Sequence, residues 1–282
     1  MTQATLPALL FSAALAASAQ PAEKLSFEVA AIKPSPPRGG GMIRVGCNGG
    51  PGTPDPGMFT CENMSLWNLI PRAYGIPYYQ VVAPSWMSPS EPMFHITAKV
   101  PPGTTKDQFN IMLQNLLADR FGLVVHHETR DQQKYDLLPA KGGPRFKEAA
   151  VSPAAKDNVS FSPMKADKDG YPTLAAGRPG MAMMNGKARL YQPEMTMESL
   201  AGQLSGQLGK PVTDATNLKG KFEISLYWAS EQMRADPAAA DADPGPTLIQ
   251  AIQDQLGLRL DSKKGPVDFL VVDRAEKSPT DN

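Results

Sequence analysis

The sequence is poor in the residues that build metal centres and disulfide scaffolds: 282 residues carry two cysteines and three histidines. That scarcity excludes zinc ribbons, iron–sulfur sites and disulfide-dense folds. It also lacks a dominant charge sign, with 28 Lys and Arg against 28 Asp and Glu. No global field is therefore available to hold nucleic acid or an anionic membrane. A P-loop is missing, and so is a dinucleotide glycine fingerprint after a strand. What is present suffices for a core, with 41% hydrophobic and 20% charged residues. Proline (28) and glycine (24) are in excess without a G-X-Y period. That excess predicts long loops and linkers.

Residues 1–22 contain no charged side chain, and Leu6–Ala17 is nearly all Leu, Ala and Phe. This run falls short of the about 20 residues that span a bilayer. It ends in Ala17-Ser18-Ala19, the small-x-small pattern cut by signal peptidase, so 1–19 reads as a signal peptide and Gln20 as the mature start. The expected location is periplasmic or extracellular. The segment lacks the usual basic n-region, which leaves open a start codon further upstream. Export gives Cys47 and Cys61 a meaning. Seven of the thirteen residues between them are Gly or Pro, so burial cannot fix that loop. In an oxidising compartment two thiols this close are expected to pair. Closing about 15 residues removes roughly 3 kcal/mol of unfolded-state entropy on the chain-entropy model.

The chain also repeats a pattern. Ser65 and Thr196 are N-cap residues, each opening an apolar helical stripe: Leu66, Leu69, Ile70, Ala73 and Tyr74, then Met197, Leu200, Ala201 and Leu204. Pro71 predicts that the first helix is short or kinked. Period-2 strands follow at Phe94–Ala98 and Phe222–Leu226. Second helical stripes follow these: Phe109, Met112, Leu113, Leu116 and Leu117, then Leu248, Ala251, Ile252 and Leu256. Both end in a glycine placed as a left-handed cap, Gly122 and Gly257. A last strand closes each half, Tyr135–Ala140 and Val267–Asp273. The matched anchors Ser65/Thr196, Phe94/Phe222, Gly122/Gly257 and Leu137/Phe269 are offset by 131, 128, 135 and 132 residues. The expected fold class is α+β, a tandem repeat of two small β-α-β units, each a small sheet with two helices. The expected domains are a first unit at 25–141 with the disulfide loop, a linker at 142–188 and a second unit at 189–277. Met233–Pro246 reads as an excursion within the second unit.

Two resemblances attach to these residues. Each half resembles the secretin and TonB short N-terminal domain, through the Leu-x-x-Leu-Ala helix, the Gly209-Lys210-Pro211-Val212 turn and the Leu-Gly-Leu helix end. Four further stretches carry a second resemblance: Phe27-Glu28-Val29-Ala30-Ala31-Ile32-Lys33-Pro34, Leu116–Leu123, Pro211-Val212-Thr213-Asp214 and Leu218-Lys219-Gly220-Lys221-Phe222. Across about residues 25–277 the chain resembles a soil-associated family of exported proteins of unknown function expanded in Acidobacteria, the DUF3738 type. That resemblance implies export and, in some members, fusion to membrane-embedded sensor peptidases of the antibiotic-receptor type. It carries no catalytic residue set to transfer.

Candidate chemistry is thin. His126 and His127 are adjacent on an expected strand and face opposite ways, so they do not readily share a metal. His95 matches Glu223 on a polar strand face and is expected to be solvent-exposed. Gly202–Gly206 has a serine but not the nucleophile-elbow spacing. Ser162-Pro163-Met164-Lys165 has Ser/Lys acyl-transferase spacing, but it lies in the expected linker with nothing to desolvate the lysine. Asp167-Lys168-Asp169-Gly170 opens like a calcium loop and lacks the later ligands. Neither a catalytic set nor a metal nor a cofactor is expected. Tyr78, Tyr79 and Trp86 lie in a proline-stiffened segment that suits recognition, although core packing explains the same residues. The reading is an exported binding, sensing or interaction module of the bacterial envelope. Its expected partner is a protein or envelope polymer, with a membrane sensor among the candidates and no nucleic acid. An exported hydrolase without a recognisable motif is the alternative.

Overall fold

The computed structural model describes residues 24–36, 44–89, 92–150, 165–174, 178–230 and 245–280. The expected signal segment, Ser162 and most of the Met233–Pro246 excursion lie outside these residues. The described residues form an α+β fold with three small sheets and four α-helices. They fall into two compact units, the first drawn from 1–64, 93–121 and 278–282, the second from 65–92 and 122–277.

The first unit is a four-stranded sheet of β1 (Val29–Pro34), β2 (Gly46–Gly49), β3 (Met58–Ser65) and β5 (Met93–Lys99), with α2 (Lys106–Phe121). The strand order is β1-β5-β3-β2. Period-2 alternation puts Phe94, Ile96 and Ala98 in the core, as the pattern predicts. Helix α2 buries the predicted stripe Phe109, Met112, Leu113, Leu116 and Leu117. Aromatic edges seat the helix: Phe109 meets Phe59 at 4.9 Å and Phe121 meets Phe94 at 5.0 Å between ring centroids. A capping box opens α2, with the Gln108 N–H donating to Thr105 Oγ1 and the Thr105 N–H donating to Gln108 Oε1.

The second unit holds α1 (Leu66–Tyr74), a single 3-10 turn (Tyr78–Gln80), β4 (Val81–Val82) and β6 (Val124–Pro139). These are followed by β7 (Lys147–Glu148), β8 (Gly180–Met184), β9 (Lys187–Met195) and α3 (Met197–Leu208). The unit closes with β10 (Val212–Asp214), β11 (Phe222–Ala229), α4 (Leu248–Leu256) and β12 (Leu258–Arg274). One sheet runs β7-β11-β9-β8 and the other β10-β6-β12-β4. Their shared core gathers Leu137, Leu190, Met197, Leu200, Leu204, Ile224, Leu226, Ile252, Leu256 and Leu258. Helix α1 is nine residues long with Pro71 inside. Helix α4 starts with a complete capping box between Thr247 and Gln250, the same device as on α2. Gly257 ends α4 at φ 63°, and Gly122 follows α2 at φ 56°, both in the left-handed region that glycine occupies without strain.

The structure departs from the sequence-based expectations in three places. The expected strand carrying His126 and His127 and the one expected at Tyr135–Ala140 are one strand, β6, of 16 residues. The strand expected at Val267–Asp273 begins at Leu258 and runs 17 residues as β12. These two pair antiparallel from Leu258↔Pro139 to Val272↔Val125. That ladder draws 122–139 into the same compact unit as the residues after 142, so the compact units are cut differently from a division at 142. The expected linker, 142–188, supplies β7 and β8 to a sheet. The succession strand, helix, short strand, strand, helix, long strand occurs twice, as β3-α1-β4-β5-α2-β6 and β9-α3-β10-β11-α4-β12.

Candidate functional site

Pro77 precedes the 3-10 turn at φ −65° and ψ 146°, which sets the entry of Tyr78 and Tyr79. The turn is then tied to α3. The Tyr78 hydroxyl donates to the Gly206 carbonyl, and the Tyr79 hydroxyl interacts with the Ser205 side chain. Gln80 fixes the other end by donating to the Asp268 carbonyl of β12 at 2.9 Å. The two tyrosine rings meet edge to face at 6.0 Å. Tyr78 remains 46% exposed, whereas Tyr79 and Trp86 are half-buried. Burial pushes the Tyr79 phenol above its ordinary range, a shift partly offset by the hydrogen bond with Ser205. The Lys277 ammonium sits 5.7 Å from the Trp86 ring centroid. The aromatic segment is thus a braced platform whose hydroxyls point inward. Tyr78 is the ring it presents most to solvent.

Cys47 and Cys61 form a disulfide. They stand directly opposite each other in the β2–β3 register. The turn beyond them is closed by the Gly50 N–H, which donates to the Asp55 and Met58 carbonyls at 3.0 and 2.9 Å. Also in the first unit, an open cleft of about 480 Å³ lies between β1 and α2, with Phe27, Met112, Leu116, Asp119 and Arg120 in its wall.

The histidines divide. His126 and His127 face opposite sides of β6, and both are exposed. His126 Nδ1 lies 2.9 Å from Asp273 Oδ1. Beside it, Arg130 pairs with Glu128 at 2.6 Å, and its guanidinium stands 5.4 Å from the Phe269 ring centroid. The Arg130 hydrogen bond draws the Glu128 carboxyl below its ordinary range. Among the described residues no group of three or more His, Cys, Asp or Glu converges to hold a metal, so His126–Asp273 stands as a pair. His95 departs from expectation: it is half-buried, and its Nε2 is enclosed without a partner among the described residues.

Two further motifs are engaged in local hydrogen bonds. Asp167 Oδ1 accepts from the N–H groups of Asp169 and Tyr171, closing a turn, and its other oxygen pairs with Arg189. Ser205 sits inside α3, where its hydroxyl donates to the Ala201 carbonyl and accepts from the Val212 N–H. Sequence reasoning missed the tyrosine tethers, which no local pattern encodes. It also missed the two capping boxes, for which the Thr-x-x-Gln spacing at Thr105 and Thr247 was a usable signal.

A family model described as a protein of unknown function, DUF3738, matches residues 67–275. The chain belongs to that family. No curated protein and no solved structure matches it.

Proposed function

We propose that this chain is an exported interaction module of the bacterial envelope that binds a protein or envelope polymer through the Tyr78–Trp86 segment. The observation that carries the reading is the braced aromatic platform. Tethers to α3 and β12 remove the entropic cost of ordering the segment on binding, while the Tyr78 ring stays half in solvent. Rigid aromatics of this kind are favoured as anchors at interfaces. The Cys47–Cys61 bond supports export, because such bonds persist in oxidising compartments. The doubled succession of elements supports reading the fold as a duplicated module like the secretin and TonB short N-terminal domains. Such small sheets meet partners by strand edges and helix grooves.

The test immobilises residues 20–282 and measures retention of solubilised envelope proteins and polysaccharide from the source cells. Tyr78→Ala should weaken retention of the specific partner about fivefold, the 1 kcal/mol that separates anchors from neutral contacts, with little change in melting temperature. Tyr79→Phe should bind normally, since its hydroxyl faces α3. Normal binding by Tyr78→Ala would remove the platform from the interface. Export is checked separately: protein recovered from the periplasm or medium should begin at Gln20.

A further inference from the structure

In the β6–β12 ladder, the Tyr135 N–H donates to the Pro211 carbonyl, and the Leu137 carbonyl accepts from the Ala215 N–H. These odd-numbered residues therefore aim their backbone groups outward, away from β12. The register runs without interruption from Pro139 back to Val125. With the period of 2, His127, Thr129, Asp131 and Gln133 present their N–H and C=O groups outward as well. No described residue bonds those backbone groups. The opposite edge of the same ladder is protected over Pro266–Leu270. On β12 the outward residues are even-numbered, because Leu270 pairs there with Val81 of β4. Pro266, aligned with Asp131, has no N–H to offer, and Gln80 occupies the Asp268 carbonyl. Proline and side-chain cover are the usual ways to blunt a sheet edge. The β12 edge is blunted or covered over Pro266–Leu270, opposite His127–Asp131, whereas among the described residues nothing pairs with the outward groups of His127–Gln133.

We propose that this open edge of β6 pairs antiparallel with β6 of a second copy of the chain, about a two-fold axis at Thr129. The choice of partner comes from charge. Two-fold pairing sets one residue against itself, and the segment reads His127-Glu128-Thr129-Arg130-Asp131. Centring on Glu128, Arg130 or Asp131 would oppose like charges. Centring on Thr129 places Glu128 against Arg130 of the second copy, twice by symmetry, and His127 against Asp131. Opposite-charge pairs directly across a ladder are favourable and like pairs unfavourable. The Glu128 and Arg130 positions face each other at non-hydrogen-bonded sites, where side chains approach most closely. The resulting four-stranded array, β12-β6-β6-β12, ends at both sides in the edge blunted by Pro266 and Gln80. Opposite the two-fold axis the outer edge offers no free ladder to a third chain, so the assembly there is an isologous dimer. The pairing uses few residues per chain, so the dimer is a weak one.

Sedimentation velocity over a concentration series tests this on residues 20–282. The unaltered chain should shift from monomer to dimer as concentration rises. Glu128 is exposed and Arg130 half-buried, and Glu128→Arg or Arg130→Glu alone should weaken dimerisation at least about tenfold. Mixed together, the two variants should form a heterodimer. Each variant carries a single charge sign at both positions, and across the two-fold axis it meets the opposite sign on the other variant. Thr129→Pro removes the central outward N–H, together with the exposed side-chain contact to Asp268. It should abolish self-association, and placed in either charge variant it should block the mixed pair. Its unchanged circular dichroism would show that the fold is kept. A chain that stays monomeric throughout overturns the proposal, even if an extended peptide from another protein binds the edge. So does a dimer indifferent to Thr129→Pro, or a mixture of the charge variants that fails to associate. The two charge variants touch no tether of the Tyr78 platform, so its test stands apart.

Discussion

Reducing the Cys47–Cys61 bond should destabilise the first unit by about 3 kcal/mol, the value for a closed loop near 15 residues on the chain-entropy model. The two cysteines are 14 residues apart in sequence and face each other across β2 and β3. The segment they close is nearly all exposed from Gly52 to Met58, so burial does little to replace the cross-link. Cys61 itself is only 2% exposed, and reduction keeps both sulfurs in place. The comparison is therefore cleaner than a Ser substitution, which would bury a hydroxyl. The assay needs a probe specific to the first unit. All three tryptophans, Trp67, Trp86 and Trp228, belong to the second unit, and the residues assigned to the first include no tyrosine. Tryptophan fluorescence thus follows the second unit alone, while amide exchange at Phe59 and Thr60 reports on the first. With a urea slope of about 1–3 kcal/mol/M, the loss moves the first unit's midpoint down by roughly 1–3 M. Unchanged amide protection at Phe59 and Thr60 across the urea series on full reduction would refute the reasoning and show that the hairpin holds its ends without the bond.

Two further expectations concern backbone and ionisation. Gly209 and Gly257 both cap helices in the left-handed region, at φ 62° and 63°. A side chain at Gly209 meets open space, whereas one at Gly257 would meet the Gly143 carbonyl oxygen at 2.1 Å. Gly209→Ala should cost about 1–2 kcal/mol and Gly257→Ala clearly more in urea melts followed by tryptophan fluorescence; equal losses would deny the close approach. The Tyr79 phenol is raised by burial, so the unfolded chain loses that proton first, from about pH 10. Its contribution is fully present below that pH and is lost as pH rises through the higher folded value. Tyr79→Phe should flatten the alkaline fall in stability, leaving the parts due to Tyr74, which burial also raises, and Tyr191, raised by its hydrogen bond with Glu223; an unchanged slope would place Tyr79 in water.

The helices were legible because each has one buried stripe at helical spacing. Leu66, Leu69, Ile70 and Ala73 are all buried in α1, and Leu248, Ala251, Ile252 and Leu256 in α4. Short strands with one wet face were legible for the same reason: Phe222, Ile224 and Leu226 alternate with exposed neighbours in β11. The disulfide could be anticipated because a Gly- and Pro-rich loop between two cysteines has few other means of closure. His95 was misplaced because pattern reading assigns a face by alternation. It does not see what covers that face, and here the imidazole is half-covered.

The long ribbon was illegible for a different reason. Residues 126–129 of β6 and 261–264 of β12 are exposed on both faces, so neither carries the apolar alternation by which a strand is recognised. What holds them extended is the ladder between them, joining residues more than a hundred positions apart, with cross-strand contacts such as Thr129 to Asp268 at 2.6 Å and Lys263 to Asp136 at 2.5 Å. Such pairing is a property of two distant segments and cannot be read from either alone. The same polar character bears on the edge of β6 that no described residue pairs with over His127–Gln133, since it disfavours indiscriminate aggregation there. An apolar edge would accept any extended chain, whereas His127–Asp131 offers mixed charges, and the register proposed at Thr129 opposes Glu128 to Arg130. Selectivity at this edge therefore rests on the features that hid it from pattern reading: no apolar face, mixed charges, and a neutral threonine at the centre.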